Sequence, residues 1–472
     1  MSLADRFSYI PAGLKLRAYG GLGVYTKYHP LSKTGFRVIE NSKNHVWVDT
    51  PDRELYITDQ TLLESGAYPE GFHEFSNLSH IHADPSSDLG LDYVMLNYTD
   101  HMTRYSEARI RSNSVQKGSR ILADSGGFQL AHADYEFLDP AVEIDWLNRN
   151  ADLAMVLDIP IESNKTKDLL RRSAIIQKAN TDLWMKKKRK DLELINIGHG
   201  IGEEFMRYHD IVFEPGIDRI AFGGVFYTGL FPAIHNALYV MLHTKDQYKH
   251  HHILGVTHRG AMIALMYMAK LGLSKLITCD SSSALQLSCY RTLYLYNRME
   301  ESLYMQDLGN KGNYSTGIAK LPCNCPVCST LVYADTFREL KGDIPDALVC
   351  MHNVYAFNDW VKHNMSFIER ESKEQIKNSL TDQFKTGYGM QGVKDMHALL
   401  DFIDMAVSDG LEKARKRYDR YFYKVKPLVP PSMLTEQERL TRLEEAHEEE
   451  PTTDEWAEIV LENYEEYYGI KP

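Results

Sequence analysis

The sequence has few cysteines and no long apolar run, and each shortage excludes a class of protein. Six cysteines among 472 residues are too few for a disulfide-stabilised secreted scaffold. The longest strictly apolar run, residues 261–269, is too short to cross a bilayer, and the first residues lack the basic and apolar segments of a signal peptide. We therefore expect a cytoplasmic protein with no membrane partner.

The sequence also lacks an excess of positive charge, which at first argues against a nucleic-acid enzyme. The formal net charge is -12, but residues 435–472 contain 13 acidic and 3 basic side chains and so carry most of it. Positive charge in the remainder is clustered in residues 185–190 and in residues 413–426, where four aromatic residues are interleaved. Such clusters either bind phosphates and unstacked bases or form ordinary solvated helix faces.

Short apolar runs alternate with longer amphipathic stretches between residues 92 and 280. Seven of these runs are typical of buried parallel strands: residues 93–97, 121–123, 153–157, 194–197, 219–222, 253–256 and 276–279. Strands joined by helices in this way predict an α/β fold, a (β/α)8 TIM barrel whose eighth strand is unassigned. An open doubly wound sheet is the alternative.

Polar and glycine residues stand at the carboxyl ends of the predicted strands. They are Asp124, Asp158, His199, Gly223 with Gly224, Gly255 and Asp280. Because that end of a parallel barrel carries the active site, the three acids are predicted to converge on one pocket. The alternative for each Asp is a helix N-cap.

Three cysteines crowd into the run Cys-Asn-Cys-Pro-Val-Cys, and a histidine follows after 23 intervening residues. Cys323, Cys325, Cys328 and His352 offer three thiolates and one imidazole, a tetrahedral ligand set that suits zinc. Four protein ligands leave no open position for a substrate water, so we expect a structural Zn²⁺. Cys350 is the competing fourth ligand.

With these motifs in order, the chain resembles the tRNA-guanine transglycosylase superfamily of zinc-containing barrels. The resemblance covers residues 97–357. It is carried by residues 124–129 (Asp-Ser-Gly-Gly-Phe-Gln), 155–158, 222–224, 254–256, Asp280, 323–328 and 351–353.

The resemblance implies a pentosyltransferase that exchanges guanine in a polynucleotide for a 7-deazaguanine base. Asp280 would be the nucleophile that forms a covalent glycosyl-enzyme, and Asp124 would be the general acid and then the general base. Asp158 would accept hydrogen bonds from the guanine N1 and 2-amino groups. The other residues expected in the base pocket are Ser125, Phe128, His199, Gly223, Gly224 and Leu254.

Two departures from the family pattern point to the substrate. A Ser-Ser-Ser-Ala-Leu-Gln segment follows Asp280, where the tRNA enzymes have a Pro-Thr-Arg type of segment that grips the anticodon loop. Residues 225–229 lack the Glu that is linked to recognition of an aminomethyl substituent. The chain thus looks most like the branch that modifies DNA with a neutral base such as 7-cyano-7-deazaguanine, in a bacterium or a virus-infected bacterial cell.

Two alternatives stay open: a tRNA-guanine transglycosylase acting on tRNA, and a non-catalytic zinc-containing subunit that binds nucleic acid. A homodimer is also left open. The expected division of the chain is a β-rich segment (1–85), the catalytic barrel (86–310), an inserted or appended zinc-binding subdomain (311–370), a helical basic extension (371–430) and an acidic tail (431–472).

Overall fold

A computed structural model describes most of the predicted barrel and the helices that follow it. The described residues are 2–11, 37–42, 45–49, 54–57, 91–101, 120–131, 135–161, 167–223, 229–256, 258–289, 292–297, 302–307, 325, 344–422 and 453–470. Within these ranges, no helix is both long and apolar enough to span a membrane.

Eight parallel strands form the central sheet. Numbered along the chain, the strands are β1 (Phe7–Pro11), β2 (Arg37–Ser42), β3 (His45–Asp49), β4 (Glu54–Ile57), β5 (Tyr93–Asn97), β6 (Arg120–Asp124), β7 (Leu153–Met155), β8 (Glu193–Gly198), β9 (Arg219–Phe222), β10 (His250–Ile253), β11 (Leu276–Ser281), β12 (Thr292–Asn297) and β13 (Ser302–Asp307). The central order is β1-β11-β10-β9-β8-β7-β6-β5. Because β1 and β5 also lie against each other, the sheet curves into a nearly closed barrel, as predicted.

Helices connect the barrel strands and extend beyond them. They are α1 (Tyr98–His101), α2 (Gly127–Ala131), α3 (Pro140–Asn150), α4 (Lys167–Lys187), α5 (Glu203–Val212), α6 (Leu230–Thr244), α7 (Arg259–Lys270), α8 (Ser283–Cys289), α9 (Ile344–Arg370), α10 (Lys373–Asp409), α11 (Leu411–Arg417) and α12 (Thr453–Tyr468). Strands β2–β4 form a separate antiparallel sheet, and β12 and β13 form a hairpin.

The eighth barrel strand, which the sequence pattern left unassigned, is β1. It pairs in parallel with β11, so that Ile10 lies opposite Asp280. The barrel therefore begins inside the segment 1–85 that the sequence pattern set apart from it.

Alternate residues of the strands fill the barrel interior. The interior cluster consists of Ile10, Met95, Leu122, Leu153, Met155, Ile195, Ile197 and Ala221. Successive side chains of a strand point to opposite faces, so neighbours such as Ile121 and Ala123 face outward and pack under the helices.

Strand β10 lies three residues earlier than the predicted run 253–256. It begins with three histidines, a residue type that does not mark a strand by hydropathy, yet His250, His251 and His252 are all buried. Leu254 and Gly255 form the turn after the strand, where Gly255 has a φ of 70° that glycine adopts without strain.

The C-terminal part is helical, as expected, and one element reverses direction. Lys377 Nζ lies 2.6 Å from Asp401 Oδ1, and Thr381 Oγ1 lies 3.2 Å from His397 Nε2. A straight helix rises about 1.5 Å per residue and cannot bring such distant residues together. The chain of α10 therefore turns back between Thr381 and His397.

The predicted acidic tail contains a helix that packs on the barrel. Glu465 of α12 forms a bidentate ion pair with Arg172 of α4. Arg172 Nε donates to Glu465 Oε1 at 2.7 Å, and Arg172 Nη2 donates to Glu465 Oε2 at 2.9 Å. Trp456 Nε1 donates to the carbonyl of Leu130 at 2.9 Å, and Tyr464, which is fully buried, donates to the carbonyl of Leu138 at 2.7 Å. This end of the tail is thus part of the folded core.

Candidate active site

The predicted acids lie at one end of the barrel. Asp124 ends β6, Asp158 follows β7 and Asp280 lies near the end of β11. Since all eight strands run parallel, their carboxyl ends share one rim. The structure therefore brings together the three acids in the way that their positions after apolar runs predicted.

Asp124 lies in a setting that favours its protonated form. Burial and the neighbouring carboxylate of Asp158 raise the pKa of Asp124 to about 6, with a smaller contribution from Asp280. Hydrogen bonds from the Gly126 amide and the Asn97 side chain oppose this rise. A carboxyl with this pKa can both release and accept a proton near neutral pH.

Asn97 is a site residue that the sequence pattern did not identify. Its Nδ2 donates to Asp124 Oδ2 at 2.7 Å and lies 3.2 Å from Gln129 Oε1. Its Oδ1 accepts from the backbone amide of Thr99 at 2.9 Å, which sets the orientation of the amide group. Strand pairing places Asn97 beside Asp124, so only the register of β5 and β6 shows this contact.

Asp158 is held by His199 and by a close backbone approach. His199 Nε2 lies 2.7 Å from Asp158 Oδ2. A Cβ on Gly127 would lie 2.4 Å from Asp158 Oδ1, so only glycine fits there. The second glycine of the Asp-Ser-Gly-Gly motif thus lets helix α2 begin directly against Asp158, which is 7% exposed.

Two groups contact the carboxylate of Asp280, and both contact the same oxygen, Oδ1. The Gly255 amide donates to Asp280 Oδ1 at 2.9 Å, and His252 Nε2 lies 3.3 Å from the same oxygen. The His252 contact lacks the alignment of a hydrogen bond and is electrostatic. Neither contact was expected from the sequence, because neither His252 nor Gly255 adjoins Asp280 along the chain.

The remaining predicted pocket residues are only partly described. Ser125 is fully buried, and its hydroxyl has no hydrogen bond among the described residues. Gly223 packs against Leu254, where an added Cβ would come within 3.0 Å of the leucine Cβ. Phe128 lies in α2, but its side chain is outside the described part of the structure, as is the whole of Gly224.

A fourth acid, Glu143 of α3, lies buried behind the site. Its side chain is 0% exposed, and neither carboxyl oxygen has a hydrogen bond among the described residues. Burial, Asp124 and Asp158 hold the pKa of Glu143 well above its ordinary value. Glu143 lies in a helix and not at the end of a strand, so no sequence pattern indicated that it lies near Asp124 and Asp158.

Two of the four predicted metal ligands, Cys325 and His352, lie within the described residues. Cys325 Sγ lies 3.4 Å from His352 Nδ1, and both residues are buried. His352 Nε2 lies 2.7 Å from the Tyr294 carbonyl, which requires the proton to be on Nε2 and leaves Nδ1 with a lone pair. This arrangement suits a metal ligand.

Cys323 and Cys328 lie outside the described residues, and within those residues no group of three metal-binding side chains occurs. Cys325 contacts His352, one of the two candidates for the fourth ligand.

The two basic clusters lie at opposite ends of the barrel. Residues 185–190 follow the end of α4 and lead into the start of β8, on the side away from the active site. There Arg189 donates to the carbonyls of Asn148 and Ala151, a structural role. Part of the cluster 413–426 instead lies beside the start of α6, which follows the carboxyl end of β9.

The aromatic residues of the second cluster support the fold. Tyr421 stacks on Phe231 of α6 with ring centroids 4.5 Å apart, and Phe422 packs against Phe402 at 5.8 Å. The guanidinium of Arg415 lies 3.7 Å over the Phe422 ring. These two rings are therefore not free to stack on bases, whereas Lys416 and Arg417 are exposed.

No protein-family model matches this sequence, and no curated protein matches it at a significant level. The function must therefore be inferred from the residues and their geometry.

Proposed function

We propose that the protein exchanges guanine in DNA for a 7-deazaguanine base, through a covalent intermediate on Asp280. The main support is the unequal setting of two acids on one barrel rim. Asp124 keeps a proton up to about pH 6, whereas Asp280 accepts from the Gly255 amide at 2.9 Å. Two acids with such different surroundings suit a general acid and a nucleophile in glycosyl transfer.

The proposed reaction has two displacements at the anomeric carbon of one nucleotide. In the first, an oxygen of Asp280 attacks this carbon, the bond to guanine breaks, and Asp124 gives its proton to the departing base. In the second, the incoming base gives a proton to Asp124 and attacks the same carbon, which releases the Asp280 carboxylate. Two inversions retain the anomeric configuration.

The pocket beside these acids supports guanine as the base. Asp158 has carboxylate oxygens that can accept from N1 and the 2-amino group, a pair of donors that adenine lacks. The His199 contact at 2.7 Å fixes the orientation of Asp158. The buried hydroxyl of Ser125 is available for a bound base, because no described residue bonds it. Leu254, with Phe128 and Gly224, would cover the ring.

The basic cluster at the same end of the barrel supports a nucleic acid as substrate. Lys416 and Arg417 are exposed, and Tyr421 anchors this segment to the start of α6. Positive side chains there can hold phosphates that flank a flipped-out guanine. The preference for DNA over tRNA, and for a neutral base such as 7-cyano-7-deazaguanine, rests on the sequence departures around Asp280 and residues 225–229.

The residues at the predicted zinc site suit a structural ion. Cys325 and His352, together with Cys323 and Cys328, would hold Zn²⁺, which would tie Cys325 to helix α9. When bound, the ion supplies fold stability and takes no part in the exchange.

A base-exchange assay tests the proposal. Purified protein is incubated with radiolabelled guanine and either duplex DNA or bulk tRNA, with Asp280→Asn as the inactive control. We expect label in DNA, none with the variant, and competition by unlabelled 7-cyano-7-deazaguanine. If label enters tRNA alone, the substrate is tRNA and not DNA. If wild type and Asp280→Asn are equally inert and form no covalent adduct with either polynucleotide, the protein is a non-catalytic subunit.

A further inference from the structure

A chain of buried polar groups leads through the barrel interior to Asp280. His250 Nε2 lies 2.6 Å from Thr278 Oγ1, and the same oxygen lies 2.7 Å from His252 Nδ1. His252 Nε2 in turn lies 3.3 Å from Asp280 Oδ1. The three linking side chains are between 0% and 3% exposed.

Strand register places this chain on the inner face of the barrel. His252 lies opposite Thr278 of β11 and also opposite Ala221 of β9, which belongs to the apolar interior. Asp280 lies opposite Ile10, another interior residue. Polar groups thus replace the usual apolar filling at this point. Such a replacement costs free energy unless the groups are paired, so a specific role is expected.

The chemistry of Thr278 sets the proton positions along the chain. A hydroxyl has one proton and two lone pairs, so Thr278 can donate to at most one of the two histidines, and the other must donate to it. His252 Nε2 faces a carboxylate oxygen and attracts it only if Nε2 carries a proton, and a ring with that single proton has Nδ1 as an acceptor. Thr278 therefore donates to His252 and accepts from His250 Nε2.

His250 agrees with this direction. Burial and the neighbouring His252 hold the pKa of His250 well below its ordinary value, so its ring is neutral with a single proton. With that proton on Nε2, it donates to Thr278. The reverse direction would place a buried N–H of His250 on Nδ1, which has no partner among the described residues.

We propose that His252 is a positioning residue for the nucleophile, and that Thr278 and His250 hold it in the Nε2–H form. This assignment rests on the proposed function, because it takes Asp280 as the nucleophile. His252 and the Gly255 amide both contact Oδ1, and no described residue donates a hydrogen bond to Oδ2. Oδ2 is then the oxygen that attacks the anomeric carbon.

The first test reads the histidine protonation pattern without any activity. Protein labelled with ¹⁵N at histidine is studied by NMR, with the signals of His252 assigned by loss in His252→Asn. We expect wild type and Thr278→Ser to hold His252 as the Nε2–H form, and Thr278→Val to lose this form or mix it with the other. A wild-type His252 that is protonated on Nδ1 would overturn the proposal.

The second test measures single-turnover formation of the covalent adduct with guanine-containing duplex DNA. We expect Thr278→Val to slow adduct formation about tenfold, the effect of losing one ordering hydrogen bond, with unchanged DNA affinity. Thr278→Ser should restore the rate. If wild type and Thr278→Val react equally fast, the positioning role is overturned while the proposed function stands. An inert wild type overturns both.

Thr244→Val is the matched control. Thr244, at the end of α6, also places a buried threonine hydroxyl against a histidine of β10, since its Oγ1 lies 2.9 Å from His251 Nε2. His251 neighbours His252 along the strand, so its side chain is on the opposite face of β10, away from Asp280. We expect a comparable loss of thermal stability and an unchanged adduct rate. An equal slowing by Thr244→Val would show that the Thr278 effect is structural and would overturn the positioning role.

Discussion

At the scale of single residues, two aspartates of identical chemistry are given different properties by their surroundings. Burial and the neighbouring Asp158 raise the pKa of Asp124. Asp280, in contrast, is contacted by the Gly255 amide and by His252. In the proposed reaction, these surroundings would separate the general acid from the nucleophile.

The raised pKa of Asp124 predicts how the first chemical step depends on pH. In the proposed reaction the departure of guanine requires protonated Asp124, and the protonated fraction falls as pH rises through about 6. The rate of adduct formation in a single turnover should therefore fall about tenfold for each pH unit above that value. Rapid-quench measurements between pH 5 and pH 8 check this. A rate that stays flat over the range would exclude Asp124 as the general acid.

Asp124 also predicts a pH-dependent change in stability. Because its pKa is higher in the folded than in the unfolded state, folding is disfavoured as pH rises from about 4 to about 6, and the full cost persists above that range. Asp124→Asn should therefore raise the free energy of unfolding by up to about 3 kcal/mol at pH 8 and leave it unchanged near pH 3. Urea unfolding at both pH values measures the difference, and an equal gain at both would contradict it.

At the scale of elements, the sequence predicted strand ends better than contacts between elements. Asp124, Asp158 and Asp280 each follow an apolar run, and the parallel topology alone sends them to one rim. The contact of Asn97 with Asp124 depends on strand register, which hydropathy does not specify. The histidines of β10 were missed because burial with polar partners is a tertiary property.

Helix α12 lies in the segment that was described from the sequence only by its charge, as an acidic tail. Its composition is acidic, but Trp456, Val460, Leu461 and Tyr464 recur at helical spacing and are largely or fully buried. This periodicity was present in the sequence and would have predicted an amphipathic helix. Net charge masked it, because several acidic side chains, Glu458, Glu462 and Glu466, are exposed on the other side of the helix, although Glu465 is buried.

Helix α12 is predicted to stabilise the segment around Leu138, which leads into helix α3. Tyr464 OH donates to the Leu138 carbonyl at 2.7 Å and accepts from the Leu138 amide at 3.2 Å, and both groups are buried. Tyr464→Phe should therefore lower the free energy of unfolding by about 1–3 kcal/mol. Tyr467→Phe is the control, since Tyr467 is 43% exposed and should change stability little. Equal effects in thermal unfolding would contradict this stabilising role.

At the scale of the whole molecule, the predicted zinc site joins parts that are distant in sequence. His352 of α9 contacts Cys325 and also the carbonyl of Tyr294 in the hairpin. Removing the metal should therefore destabilise the fold, because binding free energy at a structural site is also folding free energy. Chelation followed by calorimetry and metal analysis tests this. A folded, equally stable protein without zinc would contradict it.

The distribution of charge over the whole molecule makes the last prediction specific to one end of the barrel. Lys416 and Arg417 are exposed on the segment anchored beside the active-site rim, whereas Lys186 and Lys187 are exposed at the opposite end. Replacing either pair by alanine removes the same charge. If phosphates flanking the reacting guanine lie at the rim, only the first double variant should weaken binding to duplex DNA.

The salt dependence of binding distinguishes local contacts from net charge. Loss of Lys416 and Arg417 should reduce the slope of log affinity against log salt by about 2, roughly one unit for each phosphate contact. Replacing Lys186 and Lys187 by alanine should leave this slope nearly the same. Fluorescence anisotropy at several salt concentrations measures both. Equal slopes for the two variants would mean that DNA does not approach from the active-site end, because a long-range effect of net charge would affect both pairs alike.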